Sequence, residues 1–469
     1  MQFINETGTQ EHDPETRQTI RRHVMLGKNR GKRPSRPKQP SILGASVLDL
    51  NNAALVKHPS DRAVPSRVGS DISFLKFADN VEESLMSETL QFCSATNEHM
   101  YVLEPCISFE AYDPLALCFQ PLASDALYLN TMVFSSKIFR DIASQNSIAR
   151  SKGGRPNLTL QHYGKAISIL RERVAENQSP DSEVSDITIM AVLLLAMHAL
   201  VVGHATNART HVKGMVRMIH MREGALVSYK DKTKQLTEIL RCDLSISLAT
   251  GRPPLLNPQG LFDDGDDKLL GLDGSSRREL IQQPDSNMSN DSSKVWTIMK
   301  HFCATINKAT TAERKVSDRE FLQTMSSVMY GALKTSSPAG SIEELIRLAI
   351  LSLSADAFLQ WRRVRVPLPW LQRQYQEALA RRARNATNAI DPSLALWLLL
   401  IYGIGYSPLS PNDLDKLQSW LTRIMRQGES NSWADVKSAV DSHPWIDILC
   451  DRPAQSLVDQ ALKQQGVEV

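Results

Sequence analysis

Four histidines crowd a short reach of the chain: His198, His204, His211 and His220. A helical metal site needs two of them one turn apart, and the spacings of six, seven and nine residues supply no such pair. His211 therefore reads as a packing or hydrogen-bonding residue. The acidic run Asp263-Asp264-Gly265-Asp266-Asp267 resembles the start of a calcium loop. It lacks the glycine and the bidentate glutamate that such a loop requires, and reads as a solvated acidic loop. Six cysteines, Cys93, Cys106, Cys118, Cys242, Cys303 and Cys450, are scattered among apolar residues with no Cys-x-x-Cys pair. They predict buried thiols in a reducing compartment, not a disulfide framework or a zinc finger. No nucleophile elbow, phosphate-binding loop or dinucleotide fingerprint occurs. The expectation is a chain with no catalytic, cofactor-binding or metal-binding residue, and not an enzyme.

The remaining candidate chemistry is positive charge. Between Thr16 and Leu48 stand nine cations and no acid: Arg17, Arg21, Arg22, Lys28, Arg30, Lys32, Arg33, Arg36 and Lys38. Four acidic residues precede them, so the first 48 residues carry +5, and the rest of the chain carries −2. Gly27, Gly31, Pro34, Pro37 and Pro40 make this arm extended and solvated, behind a short helix that Asp13 and Pro14 would start. Arg21-Arg22, a spacer, and then Lys32-Arg33 through Lys38 approximate a bipartite nuclear import signal. Non-specific phosphate contact and a plain disordered tail are the other readings. The polar start, MQFINETGTQEHD, predicts no secretory signal.

The elements behind the arm are predicted to be helices. The 469 residues are 42% hydrophobic but only 6% aromatic, with leucine, isoleucine, alanine and methionine dominant. That composition favours helices over sandwiches or barrels, and no clean two-residue alternation predicts a strand. The stretch from Leu158 to Gly224 reads as three helices around which the chain is organised. The middle one, Asp186 to Val202, has no charge after Asp186 and is the most apolar stretch by this reading. A helix apolar all round is a core helix or a membrane span. Its length falls short of the roughly 20 residues a span needs, so no membrane is expected. Two amphipathic neighbours, one carrying Ala166, Ile169, Leu170 and Val174, the other Ala208, Val212, Met215, Val216 and Ile219, would sandwich it. Ser182 and Ser185 stand at the N-cap, and Gly203 and Gly224 where helices should stop.

Further helices are predicted over 73–86, 124–149, 236–249, 293–308, 319–333, 341–361, 368–388, 393–404 and 412–426. Trp361, Trp370, Trp397, Trp420, Trp433 and Trp445 are the expected packing anchors of the C-terminal part. The fold class is thus all-α: a large multi-helix domain of stacked helical hairpins with a disordered basic N-terminal arm. The arm and linker take residues 1–67 and the helical domain 68–469, with an acidic mobile loop at about 262–290.

The central stretch resembles the fungal-specific transcription factor domain, the helical regulatory region of zinc-cluster-type regulators. The matching positions are Ser185, Asp186, Ile189, Ala191, Val192, Leu195, Gly203, Ala208, His211, Gly214, Met218, Ile219, Arg222 and Gly224. Ala199 stands where the family usually has an acid. Asp243, Ala249, Gly251, Arg252 and Pro253 resemble a later step of the family, and Pro444-Trp445-Ile446-Asp447 its C-terminal end. The arm is similar to the opening of family members that have no zinc cluster, at Phe3, Asn5, Thr7, Arg17, Ile20, Arg21, His23, Val24 and Met25. None of the first 92 residues is cysteine, which excludes the family's usual DNA-binding module there.

The resemblance implies a nuclear transcriptional regulator or co-regulator lacking its own zinc cluster, with a biosynthetic gene cluster as the expected sphere of action. Its partners would be transcription machinery or other regulators, with weak non-specific DNA contact by the arm. The alternative is a cytosolic helical scaffold or adaptor with no genomic role. The sequence leaves oligomeric state, target genes and effector open.

Overall fold

Short polar side chains set where the helices begin. In the computed structural model, Ser185, Ser317, Ser341, Asp391, Ser410 and Ser432 each accept a hydrogen bond from the backbone N–H three residues on. These caps satisfy donors that a helix start would otherwise leave open. Ser317 and Ser341 stand three residues before Glu320 and Glu344, the spacing of a capping box. The structure describes residues 76–109, 113–143, 156–176, 184–258, 261, 288–312, 314–384 and 390–464. All belong to one unit, Ala63–Val469.

In chain order the helices are α1 (Glu83–His99), α2 (Gln120–Ser124), α3 (Ala126–Ala143), α4 (Pro156–Glu176) and α5 (Asp186–Val201). Then come α6 (Ala205–His220), α7 (Thr233–Thr250), α8 (Asn290–Ala312), α9 (Asp318–Lys334) and α10 (Ile342–Phe358). The last are α11 (Pro369–Arg384), α12 (Pro392–Gly405), α13 (Pro411–Gln427), α14 (Trp433–Val440) and α15 (Asp447–Gln464). The only named strands among the described residues are two short ones, β1 (Ile107–Ser108) and β2 (Val316–Ser317), paired in parallel. The fold is all-α, built from consecutive helices packed on one another: α5 on α6, α8 on α9, α9 on α10, α10 on α11, α12 on α13.

The predicted three-helix stretch is present, and Ser185 caps its middle helix. Its packing differs from the expected sandwich. α6 covers one side of α5, but α3 covers the other, and α4 packs chiefly on α3. Leu127 of α3, Ala166 of α4 and Ala191 of α5 meet in one small buried cluster. Helix α3 can intervene because its buried face is long, running from Leu127 to Ser136.

Other corrections have local causes. The helix expected over 73–86 starts only at Glu83. Asp79 holds the preceding turn open by accepting from its neighbour Asn80, from Asn130 of α3 and from Lys165 of α4. Helices α14 and α15 were not expected, and α15 carries Pro453 in its interior. Proline removes a helical hydrogen bond there and masked the pattern in the sequence. Nor is α5 alone in its apolarity: α12 is buried without a break from Leu394 to Gly405. Residues 1–67, Ser182 and most of the acidic loop lie outside the described residues.

The element that touches both halves is α7. It packs on α5 and α6 on one side and on α9 and α11 on the other. Every residue from Gln235 to Ala249 is buried except Glu238, itself half-covered. Two of those buried residues, Arg241 and Asp243, are charged, and they organise what lies around them.

Candidate functional site

Arg17, Arg21, Arg22, Lys28, Arg30, Lys32, Arg33, Arg36 and Lys38, the nine cations singled out in the sequence, all lie outside the described residues. Within the helical body, two buried polar clusters surround Arg241 and Asp243 in the middle of α7, and a third holds the start of α5.

Arg241 is 1% exposed. Its Nε donates to the Phe358 carbonyl at 2.7 Å, and its Nη1 donates to Glu238 at 2.7 Å and Glu104 at 3.3 Å. The guanidinium carbon lies over the Tyr101 ring, 3.4 Å from its centre. Tyr101 in turn donates its hydroxyl to Glu238 at 2.7 Å, and Lys234 bonds both carboxylates. Burial pushes the Glu238 carboxyl up, but Lys234 and Arg241 outweigh it and bring it down to about 2. Two cations, two carboxylates and a phenol therefore satisfy one another. Such a cluster fixes α7 against α10 and the Tyr101–Cys106 turn, and leaves no spare group for chemistry.

Two residues on, across the helix, Asp243 takes the backbone N–H of Leu255 at 3.0 Å and of Leu256 at 2.9 Å, and the Tyr330 hydroxyl at 3.3 Å. Burial still holds its carboxyl above the usual range. This clamps the Gly251–Leu256 turn that the sequence singled out. Gly251 has φ +72°, and a Cβ there would sit 2.3 Å from the Trp370 ring. The Asp243, Gly251 and Pro253 positions of the resemblance are thus one structural device. Arg252, exposed on that turn as Gly251 and Pro253 are, makes no part of the clamp.

The start of α5 is held by charge. Asp186 bonds Arg222, beyond the end of α6, and Lys232 at 2.6 Å. Arg222 also donates to the Tyr229 hydroxyl at 2.5 Å and lies over that ring. Burial raises the Asp186 carboxyl, but Lys232 and Arg222 carry it below the ordinary value. Asp186 was read as a partner of the helix dipole; its stronger role is to tie both ends of the α5–α6 pair together.

The histidines disperse. His198 is 3% exposed, and its Nδ1 lies 2.5 Å from the Leu194 carbonyl and 3.2 Å from the Ser135 hydroxyl. That carbonyl assigns the proton to Nδ1, and Nε2 is buried without a partner. Burial depresses its pKa to about 4. His211 is half-buried on α6, and His204 and His220 are exposed. Among the described residues no group of three histidine, cysteine, aspartate or glutamate side chains could hold a metal ion. Burial pushes the Cys93 thiol up to about 12, and raises those of Cys242, Cys303 and Cys450 as well. They are protonated at neutral pH and therefore poor nucleophiles. No helix of the described residues is long and apolar enough to cross a membrane.

Sequence reasoning missed the Glu104–Lys234–Glu238–Arg241 cluster. The signal was present: Glu238, Arg241 and Asp243 interrupt a mostly apolar run, LTEILRCDLSISLA, and charges so placed need buried partners. Trp296, left out of the anchor set, is 1% exposed and meets Trp397 at 5.1 Å. No family model, no curated protein and no solved structure matches the chain, so the site stands on its own geometry.

Proposed function

We propose that the chain is a nuclear transcriptional regulator or co-regulator that acts through its helical body and lacks a zinc cluster of its own. The observation that carries the reading is the segregation of charge: nine cations without an acid between residues 16 and 48, ahead of a slightly acidic remainder. Such an arm suits import into the nucleus and loose contact with phosphates. The resemblance of the Ser185–Gly224 run to the fungal-specific transcription factor domain supports the same reading. The body contributes protein surface for transcription machinery or other regulators, and its expected sphere of action is a biosynthetic gene cluster.

The test is the location of the full chain and of a chain lacking residues 17–38, each carrying a fluorescent tag. Nuclear full-length chain with cytosolic truncated chain is the expected outcome, and transcript profiling after deletion then identifies the targets. Full-length chain confined to the cytosol overturns the reading and leaves a helical scaffold or adaptor.

A further inference from the structure

Arg209 is the one buried cation of α6, and it lacks a hydrogen-bonded carboxylate among the described residues. It is 9% exposed, in the second turn of the helix. Its Nη2 reaches the Pro253 carbonyl at 3.3 Å, a long bond, while Nε and Nη1 are buried with no hydrogen-bond partner. No carboxylate among the described residues bonds to it. Asp243 is close enough to be felt electrostatically, but its oxygens are taken by Leu255, Leu256 and Tyr330. A second guanidinium, the exposed Arg252, follows Gly251 on the same turn that supplies the Pro253 carbonyl. Burial, and then the like charge of Arg252, depress the Arg209 pKa.

Among the described residues Arg347 is in a similar position, with one 3.3 Å bond to the Ala332 carbonyl and a buried Nε without a partner, whereas two other cations are answered. Arg241 has two carboxylates, a carbonyl and a ring; Arg222 has Asp186 and Tyr229. A buried guanidinium with open donors and a like charge beside it is costly, and an anion between the two would relieve both. Guanidinium forks suit the paired oxygens of a carboxylate or phosphate. The Arg209 fork makes one long bond, to the Pro253 carbonyl of the turn that carries Arg252, and its Nε and Nη1 donors are unspent.

We propose that Arg209 and Arg252 together form a binding site for the oxyanion group of a small ligand, with the 251–256 turn as its wall. The site joins α6 to the end of α7, and its occupancy fastens those two helices together. The inference is independent of where in the cell the chain acts.

Thermal unfolding of the purified full chain tests it, in chloride, inorganic phosphate and malonate at matched ionic strength. A ligand that binds only the folded state raises the midpoint with its concentration. The expected result is a saturable rise in phosphate, malonate or both, beyond that in chloride. A response to phosphate alone assigns a phosphoryl ligand, and a response to malonate alone a carboxylate. Arg252→Gln, at an exposed position that leaves the fold intact, should weaken the apparent affinity about tenfold or more, the worth of a charged hydrogen bond. Arg209→Lys, which keeps the charge and loses the fork, should weaken it similarly. Lys213→Gln, one turn further along α6, should leave it nearly unchanged. Equal midpoints in the three salts overturn the proposal, and so does a rise that Arg252→Gln leaves intact.

Discussion

Gly251 shows how much one missing methyl group can carry. The residue has φ +72°, and an added Cβ would meet the Trp370 indole at 2.3 Å. Gly340 has φ +81° with open space where its Cβ would be. Gly340→Ala should therefore cost only the backbone strain, about 1 kcal/mol. Gly251→Ala should add a packing clash and cost about 3 kcal/mol or more. Urea unfolding of the two variants measures the difference. His198 makes a second residue-scale case. A proton on Nε2 would be a buried donor with no acceptor, which is why its pKa falls from 6.5 to about 4. The unfolded chain takes that proton near pH 6.5 and the folded chain only near 4. Stability is therefore full above pH 6.5 and is lost as pH falls towards 4. His443, also brought to about 4 by burial, acts in the same direction. Replacing His198 with leucine should shrink the stability lost between pH 7 and pH 5, and an unchanged loss would put the cause elsewhere.

Elements whose signals are local were legible in the sequence. Ser185, Ser341 and the glycines after α5, α6 and α7 marked boundaries that the structure reproduces to within a few residues. What was not legible depends on distant partners. The late start of α1 depends on Asp79 finding Asn130 and Lys165, and the true cover of α5 is α3, a helix that is not its neighbour in the chain. The roles of Arg241 and Asp243 likewise require Glu104 and Tyr330, far along the chain. The Arg17–Lys38 arm, the only candidate site the sequence offered, falls outside the described residues, so its legibility is a matter of charge alone. Gly214 on α6 shows the difference between a motif and a packing need. Nothing lies within 4 Å of the Cβ it lacks. Glycine inside a helix is unfavourable, so Gly214→Ala should stabilise the protein by about 0.5–1 kcal/mol. If the variant is more stable yet loses the proposed regulatory activity, the glycine serves close approach by a partner. Destabilisation would mean that α6 is packed more tightly there than the structure shows.

Across the whole molecule, one large apolar cluster extends from Tyr101 to Leu462, and a smaller one is built from α1, α2 and α3. Helix α7 ties the α5–α6 layer to α9 and α11. All seven tryptophans lie at or beyond Trp296, so indole fluorescence reports the C-terminal helices, while far-ultraviolet ellipticity reports every helix. The shared cluster predicts coincident urea transitions by the two probes. An ellipticity change that precedes the fluorescence change would show the α1–α4 layer melting by itself.

The four buried thiols have a use that their inertness creates. Cys93 sits in α1, Cys242 in α7, Cys303 in α8 and Cys450 in α15, one to an element and each closed to solvent. A maleimide reagent can reach each of them only when its own part of the protein opens. Their alkylation rates thus form a built-in set of clocks. Read by mass spectrometry, they rank the local opening of four separate helices without a single substitution.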